Sequence, residues 1–333
     1  LDGSLYQGFK PVFWSTVEKT ALADAEVEYK DHSSNTIFVA FKIKSTKKDF
    51  LKNSNIIIWT TTPWTIPANR ALAFNNSIEY SLVEIDDLEN FKEKKIVVAT
   101  NLLESIVKSC GIEKFEVLKT FNGNELAGTI CSHPFHTLGY NFDVPMLDAR
   151  FVTLEQGTGI VHCAPSHGPD DFNLCLKHNI PSKYTVDNSG YYTDEIPFFS
   201  KTHVFKADPI VIDKLKEFKK LLKNDKLQHS YPHSWRSKAP LIYRATPQWF
   251  ISMEKNSLRD KAIRAIDDTT FYPPKGKERL MSMVKDRPDW CVSRQRSWGV
   301  PLPIFINKKT KEPLRDQKVI DRIAEIYEKE GSD

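Results

Sequence analysis

The chain has 333 residues, of which 40% are hydrophobic and 27% are charged, an ordinary globular composition long enough for two domains. Its 47 basic and 43 acidic residues give a formal net charge of +4, which neither requires nor excludes a nucleic-acid partner. No apolar run approaches the roughly 18–20 residues of a membrane span, and no basic-then-apolar signal segment opens the chain. The five cysteines are scattered without a CxxC pair, which favours reduced thiols in a cytosol-like compartment over a disulfide framework or a zinc site.

Strand signals dominate from about residue 35 onward. Runs rich in β-branched and aromatic residues predict strands at 37–43, 55–62, 80–85, 95–100, 115–121 and 151–163, the last broken by Gly157 and Gly159. Helices are expected over residues 102–109, 168–178 and 209–222. The third helix has apolar residues on one face and lysines on the other, and a solvated face is the simplest interpretation of those lysines.

The two ends and one internal transition bear on domain organisation. The chain starts at Leu1 rather than at methionine, and it stops soon after a helical pattern over residues 319–327, so we expect a fragment of a longer protein. After His229 the sequence becomes rich in Trp, Tyr, Arg and Pro. This change predicts a β-rich insertion followed by part of a different domain.

Three consecutive threonines end one predicted strand. Thr60, Thr61 and Thr62 follow the apolar run 56–59, and Pro63 and Pro67 stop the strand and fix a turn. Simple β-branched filler is the alternative interpretation of these threonines. Their position at a strand end favours a site, because three hydroxyl groups there offer donors and acceptors to a polar ligand or a water.

A second polar segment, residues 157–171, joins a predicted strand to a predicted helix. His162 is expected at the strand end, and Asp170 and Asp171 lie in the first helical turn, where the helix dipole favours ionised carboxylates. One aspartate is expected only to stabilise the helix end, whereas the other can pair with an ammonium group. A metal site at His162, His167 and Asp171 is an alternative, but the spacing fits no standard zinc signature. No GxSxG elbow supports a serine hydrolase.

The third polar segment covers residues 289–301 and is rich in tryptophan and arginine. Its composition fits a surface loop that stacks on a ligand and binds phosphates. It fits core aromatic residues with flanking arginines equally well, and composition alone leaves both interpretations open.

Taken together, these segments resemble isoleucyl-tRNA synthetases of the bacterial and organellar type. The resemblance extends over essentially the whole chain, and its motifs are residues 10–12, 20–29, 60–69, 157–171, 229–236, 244–250 and 289–301. The sister enzymes for valine and leucine share the insertion, but they typically carry Thr-Thr-Arg-Pro where this chain has Thr-Thr-Pro-Trp-Thr. They also lack a histidine at the position of His162, so both differences favour the isoleucine enzyme.

The resemblance implies an α+β fold in which a β-barrel-like editing domain is inserted in a Rossmann-type catalytic domain, only part of which is present. Residues 1–30 would be a connecting segment from the catalytic domain, and residues 31–226 would be the editing (CP1) domain. Residues 227–333 would be the return segment and part of the second half of the Rossmann-type domain.

The resemblance also implies hydrolysis of valine wrongly attached to tRNA(Ile), with valyl-adenylate as a further candidate substrate. The discrimination of isoleucine from valine is the standard case in which binding alone is not selective enough. One extra methylene contributes only about 1–3 kcal/mol of binding free energy. Asp171 is expected to hold the α-ammonium group, while Thr60, Thr61 and Thr62 line the pocket and order the water or the ester. His162, counted with them among the catalytic residues, is expected to form a wall that excludes the extra methylene of isoleucine, and polarisation of the water is its second candidate role.

Further contacts follow from the same resemblance. Asn69 is expected to order the loop after the threonines or to contact the substrate, and Trp64, also assigned to the substrate site, mainly to pack. Asp289, Gln295 and Trp298 would contact isoleucyl-adenylate in the complete enzyme. Lys183 and Arg70 are candidates to touch the tRNA end.

The family's ATP-handling signatures, HIGH and KMSKS, are absent from the sequence, and we expect them upstream of Leu1 and downstream of Asp333. The fragment is therefore expected to activate no amino acid and to carry only the editing activity. Editing is expected to need no cofactor and no metal, whereas the complete parent enzyme would use ATP and Mg²⁺. The expected partners are the 3′ end of tRNA(Ile) and valyl or isoleucyl groups, with no membrane. The parent is expected to be a monomer in a bacterial cytoplasm or an organellar matrix.

Three alternatives of different kinds stay open at this stage. One is a non-catalytic tRNA-docking fragment, whose affinity would come from salt-sensitive basic contacts. Another is the editing region of the related valyl- or leucyl-tRNA synthetase. A free-standing metallohydrolase is a third, which would require chelator-sensitive activity.

Overall fold

A computed structural model describes residues 2–296 and 299–332. The chain divides into two compact units. The larger unit comprises residues 10–19 and 26–246, and the smaller unit comprises residues 1–9, 20–25 and 247–333. No helix in the described ranges is long and apolar enough to cross a membrane.

The strands, in chain order, are β1 (Leu5–Ser15), β2 (Thr20–Leu22), β3 (Val27–Ser45), β4 (Asn55–Thr60), β5 (Ala71–Phe74), β6 (Glu79–Ile85), β7 (Lys95–Ala99), β8 (Phe115–Asn122), β9 (Ile130–Ser132), β10 (Asp143–Asp148), β11 (Val161–Cys163), β12 (Leu221–Ser234), β13 (Ile242–Ile251) and β14 (Trp290–Cys291). The helices are α1 (Leu103–Cys110), α2 (Pro169–Lys177), α3 (Val204–Glu217), α4 (Leu258–Asp267), α5 (Lys275–Lys285) and α6 (Gln317–Glu330). A 3₁₀ helix, Pro63–Ala68, follows β4 directly.

The larger unit is built on a ten-stranded sheet in the order β11-β5-β10-β9-β3-β4-β7-β6-β8, with β12 paired to β3. The expected mixture of α and β structure is confirmed, but the expected barrel-like closure is wrong for the part of the chain described. The path is open, since β11 and β8 form its two ends. β11 has only three residues, and β8 is exposed along nearly its whole length and carries Glu116 and Lys119. Short and charged strands are typical of unpaired sheet edges.

The core lies under the central strands, as the apolar runs of the sequence predict. Ile57 of β4, Val83 of β6 and Ile96 of β7 are completely or almost completely buried, and they pack against Ile106 and Val107 of α1. Removing an aliphatic side chain of this size from water contributes about 1.5–3 kcal/mol to the stability of the folded state. Burial of these side chains therefore fixes β4, whose C-terminal end carries the threonine segment.

Two predicted elements have different bounds in the structure. The strand expected over 151–163 is reduced to β11, because Gly157 (φ +84°) and Gly159 (φ +72°) form turns before it. A side chain at Gly159 would place its Cβ 2.3 Å from the Cβ of Ala99, so this turn requires glycine. The helix expected over 209–222 begins earlier, at Val204, where the His203 side chain accepts a hydrogen bond from the Phe205 amide at 3.3 Å.

Strand β12 was not predicted, and its composition explains why. Its middle is polar, with the consecutive residues 223–226 (Lys-Asn-Asp-Lys) followed after Leu227 by Gln228 and His229. The strand forms because it pairs antiparallel with β3 from Leu221↔Val39 to Ser234↔Val27. Tertiary pairing therefore overrides a weak local preference here.

The smaller unit contains the antiparallel pair β13–β14, with Phe250 opposite Cys291 and Ile251 opposite Trp290. Its helices α4 and α5 are joined by Arg259, which donates hydrogen bonds of 2.7 Å to the carbonyls of Val284, Lys285 and Arg287. The assignment of this region to a Rossmann-type domain stays a prediction, as does the division at residues 30 and 226.

Candidate functional site

The threonine segment forms a hydrogen-bonded turn at the end of β4. The Oγ1 atoms of Thr60 and Thr62 lie 3.2 Å apart, and those of Thr62 and Thr65 lie 3.3 Å apart. Thr65 Oγ1 also donates to the carbonyl of Thr62 at 2.9 Å. Thr61 is half-buried, and its hydroxyl has no partner in residues 2–296 or 299–332. Thr61 therefore carries the hydroxyl of the triplet that is available to another molecule.

His162 joins this turn from β11. Its Nε2 lies 2.7 Å from Thr65 Oγ1, and its Nδ1 lies 3.0 Å from Asn69 Nδ2. Asn69 Nδ2 also donates to the carbonyl of Ala71 at 2.9 Å, which fixes the orientation of the amide. Because an amide nitrogen only donates, Nδ1 of His162 is the acceptor, and Nε2 carries the proton and donates to Thr65. The imidazole is thus held in one neutral tautomer.

The electrostatics of His162 agree with this hydrogen bonding. His162 as a whole residue is 7% exposed. Burial, supported by the nearby His167, lowers the pKa of the His162 imidazole to about 3. At neutral pH this group is uncharged and a weak base, which favours a role in shaping the site over one in proton transfer.

Asp171 lies in the first turn of α2 and points back to the loop after His162. Its Oδ2 accepts a hydrogen bond of 2.8 Å from the amide of Ala164, two residues beyond His162. Burial, against the hydrogen bond from the Ala164 amide and with a smaller contribution from Asp170, raises the pKa of the Asp171 carboxyl to about 7. A carboxyl with this pKa changes charge near neutrality and responds strongly to a bound cation.

Trp64 is buried inside the 3₁₀ helix and does not line an open surface. Its amide donates to Asp208 Oδ1 at 3.0 Å, and its carbonyl accepts a hydrogen bond from the Tyr192 hydroxyl. Its ring packs edge-on against His167, with ring centroids 4.8 Å apart. The structure thus gives Trp64 the packing role expected from the sequence, and its assignment to the substrate site stays a prediction.

Sequence reasoning missed three residues that build this region. Thr65 lies within the threonine-rich run, so its spacing to Thr62 offered a signal. Asp208 and Tyr192 hold the 3₁₀ helix from positions more than 120 residues away. No local pattern marks either of them, because their role exists only in the folded chain.

Both histidines of the alternative metal interpretation are engaged elsewhere. His167 Nδ1 lies 2.8 Å from the carbonyl of Tyr243, and its Nε2 lies 2.9 Å from Thr185 Oγ1. Within the described ranges no group of three or more His, Cys, Asp or Glu side chains is arranged to hold a metal ion.

Asp289 and Gln295, two of the residues predicted to contact isoleucyl-adenylate, belong to the smaller unit, whereas the threonine segment, His162 and Asp171 belong to the larger unit. Asp289 accepts hydrogen bonds from the Tyr6 hydroxyl and from the amide of Met253. Gln295 accepts from the amide of Ala21 at 3.0 Å and donates to Gln248 Oε1 at 3.1 Å. Trp298 lies outside the described residues. The adenylate contacts therefore stay predictions.

Comparison with known proteins gives the family. The family model of class I tRNA synthetases (I, L, M and V) matches residues 1–333. The chain is 66% identical over 332 residues to the isoleucine–tRNA ligase of Pelagibacter ubique and 48% identical over 351 residues to that of Gluconobacter oxydans. Each alignment covers 100% of this chain and 37% of the relative, so the chain spans little more than a third of these ligases.

Among solved structures, the chain is similar to the editing domain of the cytosolic leucyl-tRNA synthetase of P. knowlesi. It aligns with a TM-score of 0.43 and 12% identity, covering 59% of this chain and 96% of that domain. The family model spans every residue from 1 to 333, and the similarity to isoleucine–tRNA ligases is strong over the same range. The chain belongs to the class I tRNA synthetases, and all of it is similar to isoleucine–tRNA ligases.

Proposed function

We propose that this chain is the editing region of an isoleucyl-tRNA synthetase and hydrolyses valyl-tRNA(Ile) at the site formed by the threonine segment, His162 and Asp171. The observation that carries the proposal is the single hydrogen-bonded network that joins Thr60, Thr62, Thr65, His162 and Asn69. Such a network fixes His162 against the turn that carries the available Thr61 hydroxyl, and Asp171 is bonded to the loop that follows His162. A rigid site of this kind is required to distinguish substrates by the size of their side chains.

In this proposal Asp171 binds the α-ammonium group of the aminoacyl ester. A cation beside the carboxylate favours its ionised form, which offsets the burial that raises its pKa. The ion pair and hydrogen bond would be charge-assisted, and they would fix the ester relative to the loop at Ala164.

Thr61 is the candidate to order the water or the ester, because its hydroxyl is available while Thr60 and Thr62 are bonded to each other. The oxygen of the ordered water adds to the ester carbonyl carbon, and the bond from that carbon to the ribose oxygen breaks. The ribose oxygen takes up the proton that the attacking water releases, so the products are free valine and deacylated tRNA. His162 contributes the wall that excludes a larger side chain and transfers no proton.

The synthetic reaction belongs to the proposal for the longer protein. There isoleucine would be ligated to tRNA(Ile) with ATP and Mg²⁺, and Asp289, Gln295 and Trp298 would contact the adenylate. The proposed editing reaction uses neither ATP nor Mg²⁺.

Deacylation of valyl-tRNA(Ile) by the purified chain tests the proposal. Asp171→Ala is expected to reduce the hydrolysis rate at least a hundredfold, because the ammonium loses its anchor. The matched control is Asp170→Ala, which removes the exposed neighbouring carboxylate of the same helical turn and is expected to keep activity within about threefold. Equal activity of wild type and Asp171→Ala would overturn the ammonium role. Tight tRNA binding without any turnover would favour the docking alternative.

A further inference from the structure

A small cavity of about 250 Å³ lies in the larger unit, beside the segments that carry the proposed editing site. Its lining includes Ala68, next to Asn69, and Ser166, between His162 and Asp171. Pockets for drug-sized ligands measure about 300–1,000 Å³. The volume of this cavity therefore restricts an occupant to a compact molecule.

Arg70 brings an uncompensated positive charge to the cavity. Its guanidinium lies 4.0 Å from the centre of the Phe142 ring, and in residues 2–296 and 299–332 it has neither a hydrogen-bond acceptor nor a carboxylate within salt-bridge distance. Burial lowers the pKa of this guanidinium, against an opposing effect of Glu195. A partly buried cation without a partner is unfavourable, and an anionic group bound there would relieve that cost.

The negative charge of the cavity comes from Asp194. Lys183 and Glu195 also line the cavity, but they neutralise each other in an ion pair of 2.6 Å. Asp194 accepts a hydrogen bond of 2.6 Å from Ser200 Oγ and has no cation within 4.0 Å in the described part of the chain. Among the charged residues that line the cavity, Arg70 and Asp194 thus each lack an ion-pair partner in the described part of the chain.

The remaining walls are largely apolar. Pro67, Ile196 and Pro197 line the cavity together with the rings of Tyr140 and Phe142. A nucleic-acid backbone fits this lining poorly, because the carboxylate of Asp194 would repel its phosphates and the charge of Lys183 is already neutralised by Glu195. A ligand with one carboxylate, one ammonium group and a short apolar side chain matches both the charges and the walls.

We propose that this cavity binds a free aliphatic α-amino acid, with its carboxylate on Arg70, its ammonium group on Asp194 and its side chain against Ile196 and Pro197. The choice of valine as the ligand to test rests on the proposed function, because valine is the product of that hydrolysis. Asp171 does not line this cavity, and a carboxylate on Arg70 requires the released amino acid, because the ester has no free carboxylate.

Calorimetric titration of the full chain with L-valine tests the proposal. Wild type is expected to bind valine saturably. Arg70→Gln and Asp194→Asn are each expected to weaken binding at least tenfold, since each removes one of the two charges. Valine methyl ester, which lacks the carboxylate, is expected to bind wild type at least tenfold more weakly than valine.

Two controls separate this cavity from the proposed editing site. Arg150→Gln removes an exposed arginine of the same unit that does not line the cavity, and it is expected to leave valine binding unchanged. Asp171→Asn is also expected to leave valine binding unchanged, although it impairs deacylation. Deacylation is measured independently, so failure of the editing proposal and failure of this one give different results.

Three outcomes would overturn the inference. The first is the absence of saturable valine binding to folded wild type. The second is loss of binding in Asp171→Asn with full binding in Asp194→Asn, which would place valine at the editing site. The third is binding of inorganic phosphate that depends on Arg70 and is indifferent to Asp194, which would make the cavity an anion site. If circular dichroism shows that Arg70→Gln is misfolded, the Asp194→Asn variant, whose substituted residue is exposed, decides whether the cavity binds valine.

Discussion

At the scale of single residues, Asp171 predicts a pH dependence with a definite sign. Its folded-state pKa of about 7 lies above the value of about 3.9 of an unfolded chain. The folded chain therefore keeps a proton that the unfolded chain releases, and the free energy of unfolding falls as pH rises from about 4 to about 7. Binding of the substrate ammonium needs the ionised form, so deacylation is expected to increase as pH rises through 7.

The measurement is the rate of valyl-tRNA(Ile) hydrolysis between pH 5.5 and 8.5, after subtraction of hydrolysis in buffer alone. Asp171→Asn should show a residual rate without this increase, because an amide does not titrate in that range. A wild-type profile that is flat after the subtraction would contradict the assignment of Asp171.

The tautomer of His162 is the second prediction at this scale. In Asn69→Asp a carboxylate replaces the amide that donates to Nδ1, and a carboxylate can only accept. The imidazole must then carry its proton on Nδ1, and the added negative charge raises its pKa above the present value of about 3. Nitrogen-15 NMR of the histidine side chains measures both changes. Unchanged Nδ1 and Nε2 shifts in the variant would contradict the tautomer assigned to His162.

At the scale of elements, the 3₁₀ helix Pro63–Ala68 depends on a carboxylate from α3. Asp208 accepts hydrogen bonds from the Trp64 amide at 3.0 Å and from Asn35 Nδ2 at 3.1 Å. Asp208→Ala leaves two donors without their acceptor, so we expect the free energy of unfolding to fall by about 1–3 kcal/mol. Deacylation should fall with it, because the threonine turn loses its support.

Urea denaturation measures the loss, and Asp213→Ala supplies the matched control. Asp213 lies on the same helix, with a side chain that is 74% exposed and only a 3.6 Å surface pair with Lys216. Its replacement is expected to change the free energy of unfolding by less than about 0.5 kcal/mol. Equal effects of the two substitutions would show that Asp208 does not support the turn.

The same elements show what the sequence could and could not predict. Apolar periodicity placed β4 and α1, because burial dictates their patterns, and Gly168-Pro169 marked the start of α2. Strand β12 escaped prediction because its stability comes from pairing with β3 and not from its polar residues. For the site, the sequence placed Thr60 at a strand end, whereas His162, expected at a strand end, is the middle residue of β11. The bond from His162 to Thr65 and the support from Asp208 join positions 97 and 144 residues apart, which no local pattern reveals.

At the scale of the whole molecule, the proposed hydrolysis depends on one of the two units. The threonine segment, Asn69, His162 and Asp171 all belong to the larger unit, whereas Arg259 belongs to the smaller one. Arg259→Ala removes the hydrogen bonds to the carbonyls of Val284, Lys285 and Arg287, so we expect α4 and α5 to be destabilised by about 1–3 kcal/mol. Hydrolysis of valyl-tRNA(Ile) is expected to stay within about twofold of wild type.

Hydrogen exchange separates the two effects in the Arg259→Ala chain. Amides of α4 and α5 should exchange faster than in wild type, whereas those of β4 and β5 should keep their protection. Since the proposed chemistry uses no side chain of the smaller unit, faster exchange in α4 and α5 should leave the hydrolysis rate unchanged. A loss of deacylation in step with the loss of protection in α4 and α5 would show that the editing site needs the smaller unit as well.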